Sequence, residues 1–171
     1  MNISEPSVRF ASLQEVGAFF THVWKTVYRG GSFPALLDTD RLPHADEFVV
    51  AELRGEIIGA VTLAGLKGQR PPTLDTVYVV PTKRGRGIAA RLCEAALRRF
   101  MEAGKTPVSC DVTTNKMQRA LDKLPPDIQA IVKPIASYQE YGDEWEDSGW
   151  DEREQQGPWW RTLLRGVDRN E

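Results

Sequence analysis

Residues 77–90 read VYVVPTKRGRGIAA, and the interpretation of the whole chain depends on this stretch. It passes from a β-branched run into a basic loop with two glycines, and then into apolar residues at helical spacing. Pro81 cannot extend a strand ladder, so a strand is predicted to end just before it. The stretch therefore predicts a strand, a tight loop and the N-terminus of a helix.

The loop has the chemistry of an anion site. Gly85 and Gly87 let the backbone turn tightly and approach a ligand with no Cβ in the way. The first amides of the following helix have no intrahelical partner, and the helix dipole favours negative charge there. Lys83, Arg84 and Arg86 add cations, which suit a pyrophosphate better than a carboxylate. The alternative is an ordinary strand-loop-helix turn whose arginines are simply solvated.

Two common phosphate motifs are absent. No Gly-x4-Gly-Lys-Ser/Thr sequence occurs, and Ala90 stands where the dinucleotide motif GxGxxG would have its third glycine.

The surrounding sequence alternates between strand and helix patterns. Ser12 and Glu15 have the spacing of a capping box, and the apolar positions after them repeat every three or four residues up to Tyr28. Residues 29–44 are predicted to be a loop that could include one helical turn. Further strands are predicted at residues 8–11, 47–53, 56–66, 74–80, 108–112, 128–138 and 159–167, and further helices at residues 87–103 and 115–124. This order predicts a mixed α/β (α+β) domain.

The same residues make the chain resemble the GCN5-related N-acetyltransferases, the GNAT family. The family motif is Arg or Gln, two residues, Gly, one residue, then Gly or Ala, and it stands here from Arg84 to Ala89, preceded by Val79-Val80-Pro81. The hairpin at residues 48–60 resembles the second and third strands of the family. About two thirds of the chain follows the pattern, and the last 45 residues do not. The resemblance implies one domain over residues 1–171, with a mostly antiparallel twisted sheet, splayed at its centre and flanked by helices.

It also implies acetyl-CoA as a co-substrate, bound without a metal. The amides from Gly85 to Ala90 would hold the pyrophosphate, the strand backbone would pair with the pantetheine arm, and Asn115 would lie near the thioester. An N–H near Val79 would bind the acetyl carbonyl. The implied cofactor-binding residues are Val77, Tyr78, Val79, Arg84, Gly85, Arg86, Gly87, Ile88, Ala89, Ala90 and Asn115.

The implied reaction is direct acetyl transfer to a primary amine in a ternary complex. The amine must lose a proton first, because an alkylammonium with a pKa of about 10.4 is not nucleophilic. Asp75 and Asp111 are the candidate catalytic bases, since relatives carry acids close to both positions. The alternative for each is an ordinary hydrogen-bonding role at a strand end.

The chain departs from the family after residue 115. Members often have a tyrosine that protonates the leaving thiolate, but Asp122 stands at that position, so Tyr138 or Tyr141 is left as the acid, or none. The usual Gly-Phe is also replaced, by residues 124–127. These departures support a rival interpretation, a non-catalytic GNAT-like module that binds acyl-CoA or another protein.

An acidic segment at about residues 139–157 carries Trp145 and Trp150. Beside an acceptor cleft it would attract a cationic small molecule, although a solvated loop is the alternative. A peptide amine is also left open as the acceptor.

Composition excludes several other classes. The 171 residues include 22 basic and 24 acidic side chains, a net charge of −2, which disfavours nucleic-acid binding. Two cysteines and two histidines give no metal-ligand cluster. We find no apolar run long enough to span a membrane and no secretory signal, so we expect a cytoplasmic protein. A homodimer is left open.

Overall fold

The computed structural model describes residues 5–27, 42, 44–111 and 115–135. Its strands are β1 (Ser7–Ala11), β2 (Glu47–Leu53), β3 (Glu56–Ala64), β4 (Thr73–Val79), β5 (Val108–Asp111) and β6 (Val132–Ile135). Its helices are α1 (Leu13–Thr26), α2 (Ile88–Glu102), α3 (Asn115–Asp122) and the single turn α4 (Pro126–Gln129). None of these helices is long and apolar enough to cross a membrane.

The six strands form one sheet in the order β1-β2-β3-β4-β5-β6. The first three pairings are antiparallel, and the β4–β5 and β5–β6 pairings are parallel. The β2–β3 hairpin turns on Arg54 and Gly55, whose φ angles of 55° and 82° match the twist of the flanking strands. The predicted mixed, mostly antiparallel sheet with flanking helices is confirmed.

The sheet is covered by a helix on each face, because neighbouring strand residues point to opposite sides. Phe48 and Val50 of β2 pack with α1, whereas Val49 and Ala51 pack with α2. The apolar stripe of α1 is buried as predicted, at Val16, Phe19, Phe20 and Val23. The buried stripe of α2 consists of Ile88, Leu92, Cys93, Ala96, Leu97 and Phe100.

One predicted element is wrong at its beginning. The strand expected at residues 128–138 starts only at Val132, and Ile128 instead lies in the helical turn α4, fully buried in the core on the α2 side. Pro126 explains the difference, because proline is well suited to the first position of a helix. The loop at residues 29–44, the acidic segment and the strand predicted at residues 159–167 lie wholly or almost wholly outside the described residues.

The N-terminus of α1 is held by the predicted capping box. The Ser12 N–H donates to Glu15 Oε2 at 2.8 Å, and the Glu15 N–H donates to Ser12 Oγ at 3.2 Å. Arg9 Nη2 adds an ion pair with Glu15 Oε1 at 2.9 Å. The backbone bond from Ser12 and the bond from Arg9 lower the pKa of Glu15 to about 2, from a usual value of 4.5.

This shift predicts an acid dependence of stability. A lowered folded-state pKa gives stability that is complete above pH 4.5 and is lost as the pH falls through about 2. Glu15→Gln should remove that component of the pH dependence, measured by urea unfolding between neutral pH and pH 2. Glu56→Gln is the matched control, because Glu56 is exposed and forms no ion pair with any described residue. A Glu15→Gln profile parallel to the wild type in this window would contradict the prediction.

Candidate functional site

Strands β4 and β5 part in the middle of the sheet. They pair only at Thr73 with Ser109 and Leu74 with Cys110, although β4 continues to Val79. Beyond Leu74, no described strand pairs with β4 on the β5 side. The sheet therefore has an open gap along the second half of β4.

The gap begins at Asp75. In the pairing with β3, Thr76 lies opposite Thr62 and Leu74 lies opposite Leu63, so Asp75 is an extra residue in β4. Such a bulge bends its strand and interrupts the ladder. The site of the bulge explains why β4 leaves β5 immediately after Leu74.

The backbone of β4 offers hydrogen-bonding groups to the gap. The Val80 N–H donates to the Ile58 carbonyl at 2.9 Å, so Val80 faces β3. Since backbone groups alternate in direction along a strand, those of Tyr78 also face β3, and those of Val77 and Val79 face the gap. This edge is suited to pairing with an extended ligand that carries amides.

The loop after β4 leads directly from this edge to the N-terminus of α2. A 3₁₀ turn at Pro81–Lys83 is followed by Gly85 and Gly87, with φ angles of 78° and 73°. A Cβ placed on either glycine would meet no atom within 4 Å. Gly87 is the N-cap of α2, and as a glycine it has no side chain that could cap the first amides of the helix. The space beside the first amides of α2 is therefore open to a ligand.

Arg84 does not extend into that space as a simple cation. Its Nε–H donates to the Val79 carbonyl at 2.8 Å, and its Cζ lies 5.5 Å from the centre of the Tyr78 ring. By contrast, Lys83 is half-buried and Arg86 exposed, and neither forms an ion pair or side-chain hydrogen bond with any described residue. The three cations are close together in sequence, but the contacts of Arg84 distinguish it from Lys83 and Arg86.

The backbone amides predicted to bind the pyrophosphate lie together at the N-terminus of α2. Ile88 is buried in the core, which fixes the first turn of α2, while Ala89 and Ala90 are half-buried beside it. The structure thus brings together the predicted strand edge and the predicted amides, in one continuous stretch of backbone. Asn115 is the first residue of α3, but its side chain lies outside what the structure describes.

The two candidate bases lie on neighbouring strands. Asp75 is half-buried, and its carboxylate has no hydrogen bond or ion pair with the described part of the chain. Asp111 is the last residue of β5, and its side chain is outside the described set. The bulge at Asp75 was not anticipated from sequence, because it depends on the register with β3.

The two cysteines, Asp122 and a metal site are the remaining candidates for chemistry in this region. Burial raises the pKa of the Cys110 thiol to about 12 and also raises the pKa of Cys93, so both stay protonated at neutral pH. Asp122 is exposed on α3 and accepts a hydrogen bond from Gln118 Nε2 at 2.8 Å. No metal-binding group of His, Cys, Asp and Glu occurs among the described residues.

Comparison with protein families gives a match to the sequence model described as the acetyltransferase (GNAT) family. It spans residues 14–122, more than half of the 171 residues, and includes β4, the loop and α2. A search among curated proteins finds no significant match.

Several solved structures that resemble this chain carry acetyltransferase names. The ribosomal-protein-alanine N-acetyltransferase from Brucella melitensis biovar Abortus 2308 is 19% identical, with 71% of this chain and 92% of that chain covered and a TM-score of 0.52. AAC(6')-Iy, in complex with the bisubstrate analogue CoA-S-monomethyl-acetylneamine, is 21% identical, with 70% and 88% covered and a TM-score of 0.50. A GNAT family acetyltransferase from Brucella melitensis, in complex with acetyl-CoA, is 21% identical, with 60% and 73% covered and a TM-score of 0.47. For the first two, whose TM-scores are 0.50 or higher, the likeness establishes a shared fold.

Proposed function

The chain belongs to the GNAT acetyltransferase family, and on that premise we propose that it transfers an acetyl group from acetyl-CoA to a primary amine. The observation that carries the proposal is the continuity of the open β4 edge with the open loop at the N-terminus of α2. An acyl-CoA has amides in its pantetheine arm and a pyrophosphate at the end of that arm. The amides of the arm match the open edge of β4, and the pyrophosphate matches the loop that follows it.

The arm would pair with the backbone of Val77 and Val79, on the side of β4 that β5 leaves open. The pyrophosphate would accept hydrogen bonds from the amides of residues 85–90, with Arg86 and Lys83 supplying charge. Asn115 would contact the cofactor closer to its thioester. Because both glycines leave their Cβ positions vacant, phosphate oxygens can approach the backbone closely.

Acetyl transfer would occur directly between the two substrates. An amine attacks the thioester carbonyl, so that an N–C bond forms and the C–S bond breaks with the electron pair leaving on sulfur. The proton from the amine passes to a carboxylate, Asp75 or Asp111, directly or through water. A backbone N–H near Val79 would stabilise the oxyanion, and positioning of the two substrates would supply much of the acceleration. The raised pKa values of both thiols disfavour a covalent acyl-cysteine intermediate.

We further propose that the acceptor is a cationic small molecule such as a polyamine or aminosugar. This rests on the charge of residues 139–157, whose acids and tryptophans would attract an ammonium group. AAC(6')-Iy in complex with the bisubstrate analogue CoA-S-monomethyl-acetylneamine is consistent with this proposal, although the complex is a property of that protein.

The first test is calorimetric titration of the full chain with acetyl-CoA, followed by measurement of free CoA thiol with a panel of amines. We expect micromolar binding, and CoA release that depends on a polyamine or aminosugar more than on a peptide amine. No binding up to millimolar acetyl-CoA would overturn the proposal. Binding without release for any amine would instead favour the non-catalytic module, whose basis is Asp122 in place of the family's tyrosine.

A further inference from the structure

Arg84 connects the pyrophosphate loop to the end of β4, and we propose that it is a positioning residue for the pantetheine arm. Its Nε–H fixes the Val79 peptide and thereby the register in which the arm pairs with β4. The inference rests on the acetyl-CoA site proposed above, and it assigns Arg84 a role other than charge neutralisation.

Two consecutive residues of β4 hold the guanidinium. Nε lies 2.8 Å from the Val79 carbonyl oxygen, and Cζ lies 5.5 Å from the centre of the Tyr78 ring. The ring is itself fixed, since Tyr78 is buried and packs edge-on against Phe20 with ring centres 6.4 Å apart. The position of the guanidinium is therefore set by the strand and by the core on the α1 side.

This contact changes what β4 offers to a ligand. The Val79 carbonyl faces the gap, and the Arg84 Nε–H already occupies it. A pantetheine arm that pairs along this edge can therefore bond to the N–H and the carbonyl of Val77, but only to the N–H of Val79. Pairing is thus directed to Val77 and ends at Val79, where the chain turns towards the loop. A slip by two residues would displace the thioester by roughly 6.6 Å, far outside reach of a positioned amine.

Two substitutions separate the hydrogen bond from the charge. In glutamine, Nε2 is the same number of bonds from Cα as Nε is in arginine, so Arg84→Gln keeps a donor and loses the charge. Arg84→Met has a similar length and no donor. Affinity is measured by calorimetry for acetyl-CoA and for adenosine 3′-phosphate 5′-diphosphate, which carries the pyrophosphate without the arm.

We expect Arg84→Met to weaken acetyl-CoA binding about 5- to 10-fold, comparable to the contribution of one hydrogen bond, because the arm is no longer held in one register, and to lower kcat as well. Its affinity for the diphosphate should stay at the wild-type value, and Arg84→Gln should resemble the wild type with both probes. Arg86→Gln provides the contrast, because loss of a cation beside the pyrophosphate should weaken the binding of both probes to the same extent. Thermal melting of each variant establishes that it is folded.

The inference would be overturned if Arg84→Gln and Arg84→Met weakened the binding of both probes equally. Arg84 would then act only as a positive charge beside the phosphates. Unchanged acetyl-CoA binding and kcat in Arg84→Met would also overturn the inference. These results differ from failure of the proposed function, in which the wild-type chain itself does not bind acetyl-CoA.

Discussion

Gly87→Asp is expected to abolish acetyl-CoA binding while the protein remains folded. Gly87 is the N-cap of α2, and its missing Cβ leaves open space beside the amides assigned to the pyrophosphate. A carboxylate there would lie close to a doubly charged group. Two unit charges about 4 Å apart near a protein surface repel by about 4 kcal/mol, so we expect a loss of about a thousandfold in calorimetric affinity.

Gly87→Asn is the matched control for this charge. The φ angle of 73° is unfavourable for any L-residue, but asparagine and aspartate tolerate it better than most, and both fill the same volume. Both variants should therefore lose a similar, small amount of thermal stability. A difference in affinity between them reports the charge alone. If Gly87→Asp binds acetyl-CoA as well as Gly87→Asn does, the pyrophosphate does not lie beside Gly87.

The loop could be predicted from sequence because its determinants are local. A β-branched run, a proline, two glycines and an amphipathic pattern occur within residues 77–100, and each acts on its own neighbours. The capping box of α1 is equally local, and it is confirmed. What such signals cannot provide is the register between strands.

The bulge at Asp75 and the contact of Arg84 depend on register and were missed for that reason. The bulge exists only in relation to Thr62 and Leu63 of β3, and the gap exists only because β5 ends its pairing at Leu74. Arg84 looked like one of three equivalent loop cations, since nothing in its immediate sequence indicates that its side chain turns back to Val79. A strand is predicted from Ile128, but the helical turn α4 begins at Pro126, because proline is well suited to the first position of a helix.

Asp75→Asn is expected to lower turnover strongly without changing the affinity for acetyl-CoA. The bulge places Asp75 at the point where the gap opens, and its carboxylate has no partner among the described residues that would make it purely structural. Loss of a positioned general base costs about 10²- to 10⁴-fold, so kcat at neutral pH should fall by an amount in this range. The asparagine has the same size and can keep a hydrogen bond, so folding should be unaffected.

The pH dependence distinguishes a base from a structural residue. Above its pKa of about 10.4 an alkylamine is mostly deprotonated in solution, so it no longer needs the carboxylate. The deficit of Asp75→Asn should therefore narrow as the pH rises towards that value, in a CoA-release assay at saturating acetyl-CoA. Asp122→Asn, on the exposed face of α3, should follow the wild-type profile throughout. A deficit that is constant with pH would remove Asp75 as the base. Asp111→Asn is then the next variant to measure, because Asp111 ends the strand across the gap.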